Sequence, residues 1–316
     1  NLVEGVHLAA QGFSFRTRSD AQLIRRDATS AAATIEGVRG DVPTAVEVRV
    51  GLDRPRRIRL NGAAVGSVDE LRTEVQALVF TPDRLAVVKG GPAARRAYFD
   101  RVLARLLPSR AAIPVEYAAT VGQRNAALRR IGHGLSDTDS LVPWTHRVAE
   151  LGAALVEARH TAIELLAPAF AETAAALGVE PARLVYAGEP PTVDRLDALL
   201  RRDLERGTTG AGPHLDDVRV LAGERDLRVF GSQGEQRLAV LSLLLAEARV
   251  LAERSAIPPL LLLDDVLSEL DAGRRRTLSE RLGLVGQTIV TATGAEALPL
   301  APAQVLEVTP GRVREV

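Results

Sequence analysis

Hydrophobic and polar positions follow different periods in successive regions of the chain. Residues 1 to about 90 begin with a helical pattern, "NLVEGVHLAA", whose apolar face includes Leu2 and Val3. Short alternating runs follow, such as "AVEVRV" and "ALVF", and "RIRLNG" ends in an Asn61-Gly62 turn signal. Period-two alternation is typical of half-buried strands, so we predict mixed α/β structure in this region.

Helical spacing dominates from Pro92 to about Leu177, where Pro108 and Pro168 are expected to end or kink helices. After about Arg206 the pattern of hydrophobic and polar residues changes again. "VRVLAGERDLRVF" predicts a hairpin, and "GSQGEQRLAVLSLLLAEARVLAERS" begins a long helix. The run "PPLLLLDD", "AGRRRTLSERLG", "QTIVTAT" then predicts strand, helix and strand, which is the order of a right-handed parallel crossover.

The composition excludes several classes of protein. Forty basic and forty acidic residues leave no net charge, so any contact with nucleic acid or membrane must come from a local patch. The absence of cysteine excludes disulfides, thiolate metal sites and cysteine nucleophiles, and five scattered histidines show no metal-ligand spacing. We find no apolar run of about 18 residues and no export signal, which predicts a cytoplasmic protein without a membrane partner.

The stretch "LLLLDDVLSELD" carries the strongest chemical signal. Four leucines in sequence fit a strand buried on both faces, and ligands of parallel α/β sheets bind beyond the carboxyl ends of such strands. Asp264 and Asp265 lie at that end, where Mg²⁺ carried by nucleotide phosphates would balance two carboxylates. Alone, the pattern fits about equally well an acid that simply begins a turn or caps the next element.

A second stretch, "FGSQGEQRLAVLSLLL", predicts a capped helix. Ser232 and Glu235 have the spacing of a capping box, and Gly234 permits close backbone approach. The amides of a helix N-terminus can bind an anion, although an ordinary capped helix is the simpler interpretation when the stretch is taken alone. The predicted buried stripe of this helix consists of Leu238, Leu241, Leu245 and Ala248.

Six blocks of the sequence, in one order from end to end, resemble the RecF DNA replication and repair family of the ABC-type ATPases related to the structural-maintenance-of-chromosomes proteins. The resemblance implies an α/β fold: an ABC-type P-loop ATPase head with a mixed sheet built from both ends of the chain, plus a mostly helical second lobe. The blocks are "QGFSFRT", "FTPDRLAVVKGGPAARRAYFDRVL", "QRNAALR", "GPHLDDV", "SQGEQR" and "LLLLDDVLSELD".

The same resemblance predicts how the chain is divided. Residues 1–92 and 256–316 would form the two parts of the ATPase lobe. Residues 93–206 would form the helical insertion, and residues 207–255 the connector hairpin and signature helix.

ATP and Mg²⁺ are the cofactors that the resemblance implies. Asp264 matches the metal-holding Walker B acid, and Asp265 matches the catalytic carboxylate. The signature turn, which contacts the γ-phosphate held by the other subunit of an ATP-bound homodimer, corresponds to Ser232, Gln233 and Gly234. The remaining matches are the D-loop acid Asp271, Asp83 near the place of the Q-loop glutamine, and Thr291 or Thr293 where many ABC proteins carry a switch histidine.

In this family a P-loop of the form GxxGxGKT directly precedes a helix that begins Asn-Leu, and residues 1–4 resemble the start of that helix. The printed sequence contains neither a G-x-x-x-x-G-K-[ST] motif nor a methionine. We therefore expect a fragment truncated just after the Walker A motif, which does not hydrolyse ATP by itself.

The implied function is weak, DNA-stimulated ATP hydrolysis coupled to dimerisation and DNA binding in recombinational repair and gap rescue, helping to load RecA with RecO and RecR. Aromatic residues make up only 3% of the chain, which favours backbone contacts with gapped or junction DNA over base stacking. A non-hydrolysing ATP-dependent clamp or scaffold is the alternative, and an ABC transporter subunit is a less favoured one.

Arginines of the predicted helical lobe are the candidate phosphate contacts. In so arginine-rich a chain, any single one is more often a solvated surface residue. The candidates are Arg95, Arg96, Arg101, Arg105, Arg124, Arg129 and Arg130.

Overall fold

A computed structural model describes most of the chain as two compact units. One unit contains residues 1–82 and 251–316, and the other contains residues 83–250. No helix within the described ranges is both long and apolar enough to cross a bilayer. The described residues are 1–17, 19–255, 257–268, 270–283, 285–294 and 302–316, without the side chains of residues 69, 73, 82 and 83.

Helices and strands alternate along the chain. The helices are α1 (Leu2–Gln11), α2 (Val68–Glu74), α3 (Ala86–Lys89), α4 (Pro92–Leu106), α5 (Ile113–Gly132), α6 (Val142–Ala176), α7 (Val193–Ala198), α8 (Leu200–Arg206), α9 (Leu227–Phe230), α10 (Gln233–Arg254) and α11 (Ala272–Leu282). The strands are β1 (Ser30–Arg39), β2 (Val42–Gly51), β3 (Arg57–Leu60), β4 (Ala63–Ala64), β5 (Ala77–Phe80), β6 (Ala182–Ala187), β7 (Asp217–Ala222), β8 (Arg225–Asp226), β9 (Leu260–Leu263), β10 (Thr288–Val290), β11 (Leu306–Thr309) and β12 (Arg312–Glu315).

A parallel sheet in the order β10-β9-β5 organises the first unit. Its central strand β9 is the predicted apolar run. Both edges of this strand are paired, and Leu261, Leu262 and Leu263 are fully buried. Strand β5 comes from the N-terminal part of the chain, whereas β9 and β10 come from the C-terminal part. The sheet is therefore built from both ends of the chain.

The same unit contains an antiparallel meander in the order β1-β2-β3-β4. Asn61 and Gly62 join its last two strands with positive φ angles of 49° and 83°, as the turn signal predicts. Helix α1 packs Leu8 against the core formed with Val46 and Val48 of β2. Leu2, which was expected on the buried face of α1, is instead 43% exposed, whereas its neighbour Val3 is 5% exposed and packs with Val79 and Leu262.

Long helices make up most of the second unit. Helices α4, α5 and α6 share a buried cluster that includes Leu103, Tyr117, Val121 and Leu155. Helix α6 does not end at Pro168 but continues to Ala176. Although proline removes one backbone hydrogen bond, the turns around it are held by burial, which includes Leu166 and Phe170 at 0% exposure.

The second unit also contains the antiparallel sheet β6-β7-β8, which the predicted helical lobe omits. The predicted hairpin after Asp217 is only half correct. Strand β7 forms and turns into the two-residue strand β8, but residues 227–230 form helix α9. Asp226 stops the strand because its carboxylate caps this helix, accepting the backbone N–H of Arg228 at 2.9 Å.

Candidate nucleotide site

Asp264 and Asp265 lie directly beyond the carboxyl end of β9, as the sequence predicts. The backbone N–H of Asp264 donates to the carbonyl of Phe80 at 3.0 Å, which continues the pairing of β9 with β5. Asp264 is partly buried, with 16% of its side chain exposed, whereas Asp265 is exposed. The two acids therefore lie at the same end of the sheet, but one side chain is partly buried and the other is exposed to solvent.

Asp265 has a left-handed backbone conformation, with φ of 52°. A non-glycine residue rarely adopts this conformation unless its neighbours hold it. Here the N–H of Asp265 donates to the Thr291 hydroxyl at 2.9 Å, and the Ser268 hydroxyl donates to the Asp265 carbonyl at 3.3 Å. The turn that follows β9 is thus secured from two directions.

Arg16 forms an ion pair with Asp264. Its Nη2 lies 2.6 Å from Asp264 Oδ2, and half of the arginine side chain is exposed. This pair shows that Asp264 accepts a cation on Oδ2. Arg16 belongs to the block "QGFSFRT", but 248 residues separate it from Asp264, so no local pattern predicts this contact.

The donor set at Asp264 suits Mg²⁺ that arrives with a nucleotide. Among the described residues, no three His, Cys, Asp or Glu side chains cluster as a complete protein metal site. Magnesium retains water and takes one or two carboxylates together with substrate phosphates, so a partly exposed carboxylate at the end of a parallel strand fits it once Arg16 is displaced from Oδ2. Asp264 would hold the ion, and Asp265 would face the solvent beside it.

Asp271 caps helix α11. Its carboxylate accepts the backbone N–H of Arg274 at 2.8 Å and also forms an ion pair with the Arg274 guanidinium at 3.4 Å. The side chain of Asp271 is 62% exposed. The predicted D-loop acid therefore has a structural role as a helix cap and still faces solvent.

The predicted capping box at the start of α10 is confirmed. The Ser232 hydroxyl accepts the N–H of Glu235 at 3.2 Å, and the Ser232 N–H donates to the Glu235 carboxylate at 2.8 Å. That backbone hydrogen bond and Arg225 lower the pKa of Glu235. The predicted stripe from Leu238 to Ala248 is buried, as expected.

The signature turn is exposed at each of its three residues, Ser232, Gln233 and Gly234. A Cβ added at Gly234 would meet only the Ser232 hydroxyl, at 4.0 Å, so nothing described in this chain crowds the glycine. A further hydrogen bond holds the residues that flank the turn, because the side-chain amide of Gln236 donates to the carbonyl of Leu227 at 2.7 Å. The signature turn is therefore a hydrogen-bonded turn at the surface of the second unit.

Three other residues are predicted nucleotide contacts, and the structure describes the side chains of two of them, Thr291 and Thr293. Thr291 directly follows β10, where its backbone N–H donates to the carbonyl of Leu263 at 2.9 Å. Thr293 is exposed two residues later. The side chain of Asp83 lies outside the described part of the chain, so its assignment stays a prediction.

Arg95 and Arg124 are buried rather than available to DNA. Arg95 is 2% exposed and forms a two-point ion pair with Asp217, with both N···O distances at 2.7 Å. Arg124 is 0% exposed, and its Nη1 lies 2.8 Å from Asp203. Since neither guanidinium reaches solvent, we leave both out of the proposed DNA contact.

The remaining candidate arginines differ in accessibility. Arg105 forms an ion pair with the fully buried Glu247. Arg96 is half-buried and donates to the carbonyl of Asp216 at 2.6 Å. The exposed candidates are Arg101, Arg129 and Arg130.

His214 of the block "GPHLDD" now has a structural role. Its Nε2 lies 3.0 Å from the carbonyl of Thr209, which can only accept, so Nε2 carries the proton. Nδ1 therefore accepts the Tyr117 hydroxyl at 2.8 Å. Burial lowers the pKa of His214, which favours the neutral ring. Gly212 is required here because a Cβ would lie 2.3 Å from the Tyr117 hydroxyl.

Comparison with known proteins places the chain. It is 32% identical over 302 residues to the DNA replication and repair protein RecF of Lachnoclostridium phytofermentans, which covers 94% of this chain and 83% of that protein. The chain belongs to the RecF family. No family model matches it.

Solved structures agree with membership in the RecF family. A structure of the recombination mediator protein RecF with ATP in the RecFOR pathway has a TM-score of 0.86 at 26% identity, and covers 100% of this chain and 87% of that one. The Smc head domain of Pyrococcus furiosus has a TM-score of 0.55 at 14% identity, covering 100% of this chain and 86% of that one, and shares the fold. The predicted fold class, an ABC-type ATPase head with a second lobe, is confirmed.

Proposed function

We propose that this RecF-family protein binds DNA in an ATP-dependent manner during recombinational repair and gap rescue, and that it hydrolyses ATP slowly. The observation that carries the proposal is the acid pair Asp264-Asp265 at the carboxyl end of the central strand β9, the edge of a parallel sheet at which ligands bind. The ATP-bound RecF relative supports ATP as the ligand.

The residues would share the work of hydrolysis. Magnesium, when bound with ATP, neutralises charge on the β- and γ-phosphates. Asp264 would hold that ion through Oδ2. Asp265, exposed beside it, would orient or deprotonate the attacking water.

Dimerisation would complete the site. The exposed amides and hydroxyl at the N-terminus of α10 offer an anion site, which would contact the γ-phosphate held by a second copy of the chain. Asp271, exposed at the start of α11, would cross the same interface. ATP would therefore join two copies, and residues 1–316 alone, which contain no P-loop lysine, would not turn it over.

DNA would be held by the second unit through its phosphates. The exposed arginines Arg101, Arg129 and Arg130 are the proposed contacts, with Arg96 and Arg105 as partly covered ones. We propose gapped or junction DNA as the ligand, a cytoplasmic location, and action with RecO and RecR, in line with the RecFOR pathway of the solved relative.

The test uses residues 1–316 preceded by a P-loop segment of the form GxxGxGKT, which we call the P-loop-bearing protein. Ser232→Asp preserves the helix cap, because aspartate caps as well as serine, but it adds a negative charge against the γ-phosphate. We expect ATP-dependent dimerisation and retention on gapped DNA to fall at least about tenfold. Repulsion between two like charges about 4 Å apart near a protein surface costs about 4 kcal/mol, which is more than a tenfold loss of affinity requires.

Ser232→Thr is the matched control, because it retains both the cap and the neutral hydroxyl. Retention of Ser232→Asp on gapped DNA at the parent level would contradict the proposed dimer. ATP-dependent retention by the parent without any turnover would favour the non-hydrolysing clamp. A parent protein that ATP does not retain on DNA would contradict the proposed function as a whole.

A further inference from the structure

Thr291 connects the two acids of the nucleotide site. Its hydroxyl oxygen accepts the backbone N–H of Asp265 at 2.9 Å and lies 2.9 Å from Asp264 Oδ1. A carboxylate can only accept, so the Thr291 hydroxyl donates its single proton to Asp264. One side chain therefore contacts the metal-holding acid and the backbone of the catalytic acid.

The position of this hydroxyl is determined by its own strand. The backbone N–H of Thr291 donates to the carbonyl of Leu263, at the end of the ladder between β10 and β9. Threonine is branched at Cβ, which restricts the side chain to few rotamers. The hydroxyl is therefore held within hydrogen-bond distance of both partners.

Two consequences follow for the acids. With Oδ1 of Asp264 engaged by Thr291, Oδ2 is the oxygen presented to a cation, and Arg16 occupies that oxygen. The left-handed conformation of Asp265, at φ 52°, has its N–H satisfied by the same hydroxyl. Thr291 thus selects the metal-facing oxygen of one acid and stabilises the strained backbone of the other.

We propose that Thr291 is a positioning residue for the reaction, acting through Asp264 and Asp265 rather than by contact with the γ-phosphate. The inference rests on the proposed function for its catalytic consequence, but its structural part does not depend on nucleotide. Partners that orient metal-holding carboxylates change metal affinity or activity by about 10–100-fold when they are removed.

The first arm of the test uses residues 1–316 without nucleotide. Thr291→Val removes the hydroxyl at nearly constant volume, and Thr291→Ser retains it. We expect the amide hydrogen of Asp265 to exchange about tenfold faster in Thr291→Val, because it loses its acceptor at an exposed residue, and to stay protected in Thr291→Ser. Thr291→Ala serves as a second hydroxyl-free variant if Thr291→Val does not fold.

The second arm measures ATP hydrolysis and nucleotide affinity of the P-loop-bearing protein. We expect the Mg²⁺ concentration for half-maximal hydrolysis to rise about 10–100-fold in Thr291→Val, with recovery in Thr291→Ser. Affinity for ATP measured in EDTA should stay within about threefold of the parent, because the hydroxyl does not touch the nucleotide. Thr309→Val, an exposed threonine of strand β11, is the matched control and should match the parent in both arms.

Each outcome has a distinct meaning. Unchanged exchange at Asp265 in both hydroxyl-free variants would overturn the inference, as would an unchanged Mg²⁺ requirement in an active protein. Loss of ATP affinity in EDTA with a protected Asp265 amide would assign Thr291 to the γ-phosphate instead. A parent P-loop-bearing protein that does not hydrolyse ATP would contradict the proposed function, while the exchange result still decides the structural part of the inference.

Discussion

Breaking the buried ion pair between Arg124 and Asp203 should destabilise the second unit strongly. Both side chains are at most 1% exposed, and Nη1 of Arg124 lies 2.8 Å from Asp203 and 3.0 Å from the Thr209 hydroxyl. Asp203 also accepts the N–H of Gly210 at 3.0 Å. The pair therefore connects helix α5 to helix α8 and to the loop that follows it.

The magnitude follows from the charge left behind. Arg124→Met would leave the Asp203 carboxylate buried without its cation, which costs about 3–5 kcal/mol. The Nη2 nitrogen of Arg124 is buried and has no hydrogen-bond partner among the described residues, so the pair is imperfect and the cost should lie near 3 kcal/mol. Adding Asp203→Asn removes the stranded charge and preserves an acceptor for Gly210. The double variant should recover about 2 kcal/mol.

Urea unfolding followed by the fluorescence of Trp144 measures this loss, because the single tryptophan lies in the same unit. Arg130→Met, on the same helix but exposed, is the matched control and should stay within about 0.5 kcal/mol of the parent. If Arg124→Met were as stable as Arg130→Met and lost more DNA retention, the assignment of Arg124 to the core would be refuted.

Two further predictions concern the second unit. Arg130→Ala in the P-loop-bearing protein should weaken ATP-dependent retention on gapped DNA and reduce the slope of log affinity against log salt by about 1, while an unchanged slope would exclude Arg130 from the interface. Burial lowers the pKa of His214 in the folded protein, so as the pH falls this histidine is protonated in the unfolded chain before it is protonated in the folded one. The folded protein therefore loses free energy of unfolding as the pH falls below the ordinary histidine pKa. His214→Asn should therefore lose less stability between pH 7.5 and pH 5.5 than the parent in urea unfolding, with the exposed His146→Asn as the control; equal losses in His214→Asn and the parent would contradict the role of burial.

Structural features that depend on a few neighbouring residues could be predicted from the sequence. A run of four leucines followed by two acids predicts a strand that is buried on both faces and has carboxylates at its carboxyl end, because burial and charge change within a few residues. Ser232 and Glu235 specify a helix start for the same reason, since both hydrogen bonds of the capping box span three residues. The Asn61-Gly62 turn is a third such case.

Features that depend on contacts between residues distant in the chain could not be predicted from the sequence. Strand β1 contains three consecutive alanines, which hide the alternation of exposed and half-buried positions that its pairing with β2 produces. The partner of Thr291 lies 27 residues away, and that of Arg16 lies 248 residues away, so no spacing rule indicates either contact. Residues 227–230 alternate like a strand, but the cap at Asp226 converts them to helix.

The buried arginines did carry a local signal. Arg124 has the helical spacing of Tyr117, Val121 and Leu128, which are all buried on one face of α5. Arg95 likewise precedes the buried Tyr98 by three positions on α4. An arginine within an apolar stripe is more consistent with a core ion pair than with a DNA contact, and this reasoning separates Arg124 from the exposed Arg130.

The central claim is that the acids beyond β9 carry out ATP hydrolysis, and turnover by Asp265→Asn in the P-loop-bearing protein tests it most directly. Asparagine preserves the size of the side chain and removes its ability to accept a proton. Turnover should fall at least about 100-fold, while ATP-dependent retention on gapped DNA persists. Turnover of Asp265→Asn at the parent rate would contradict the account.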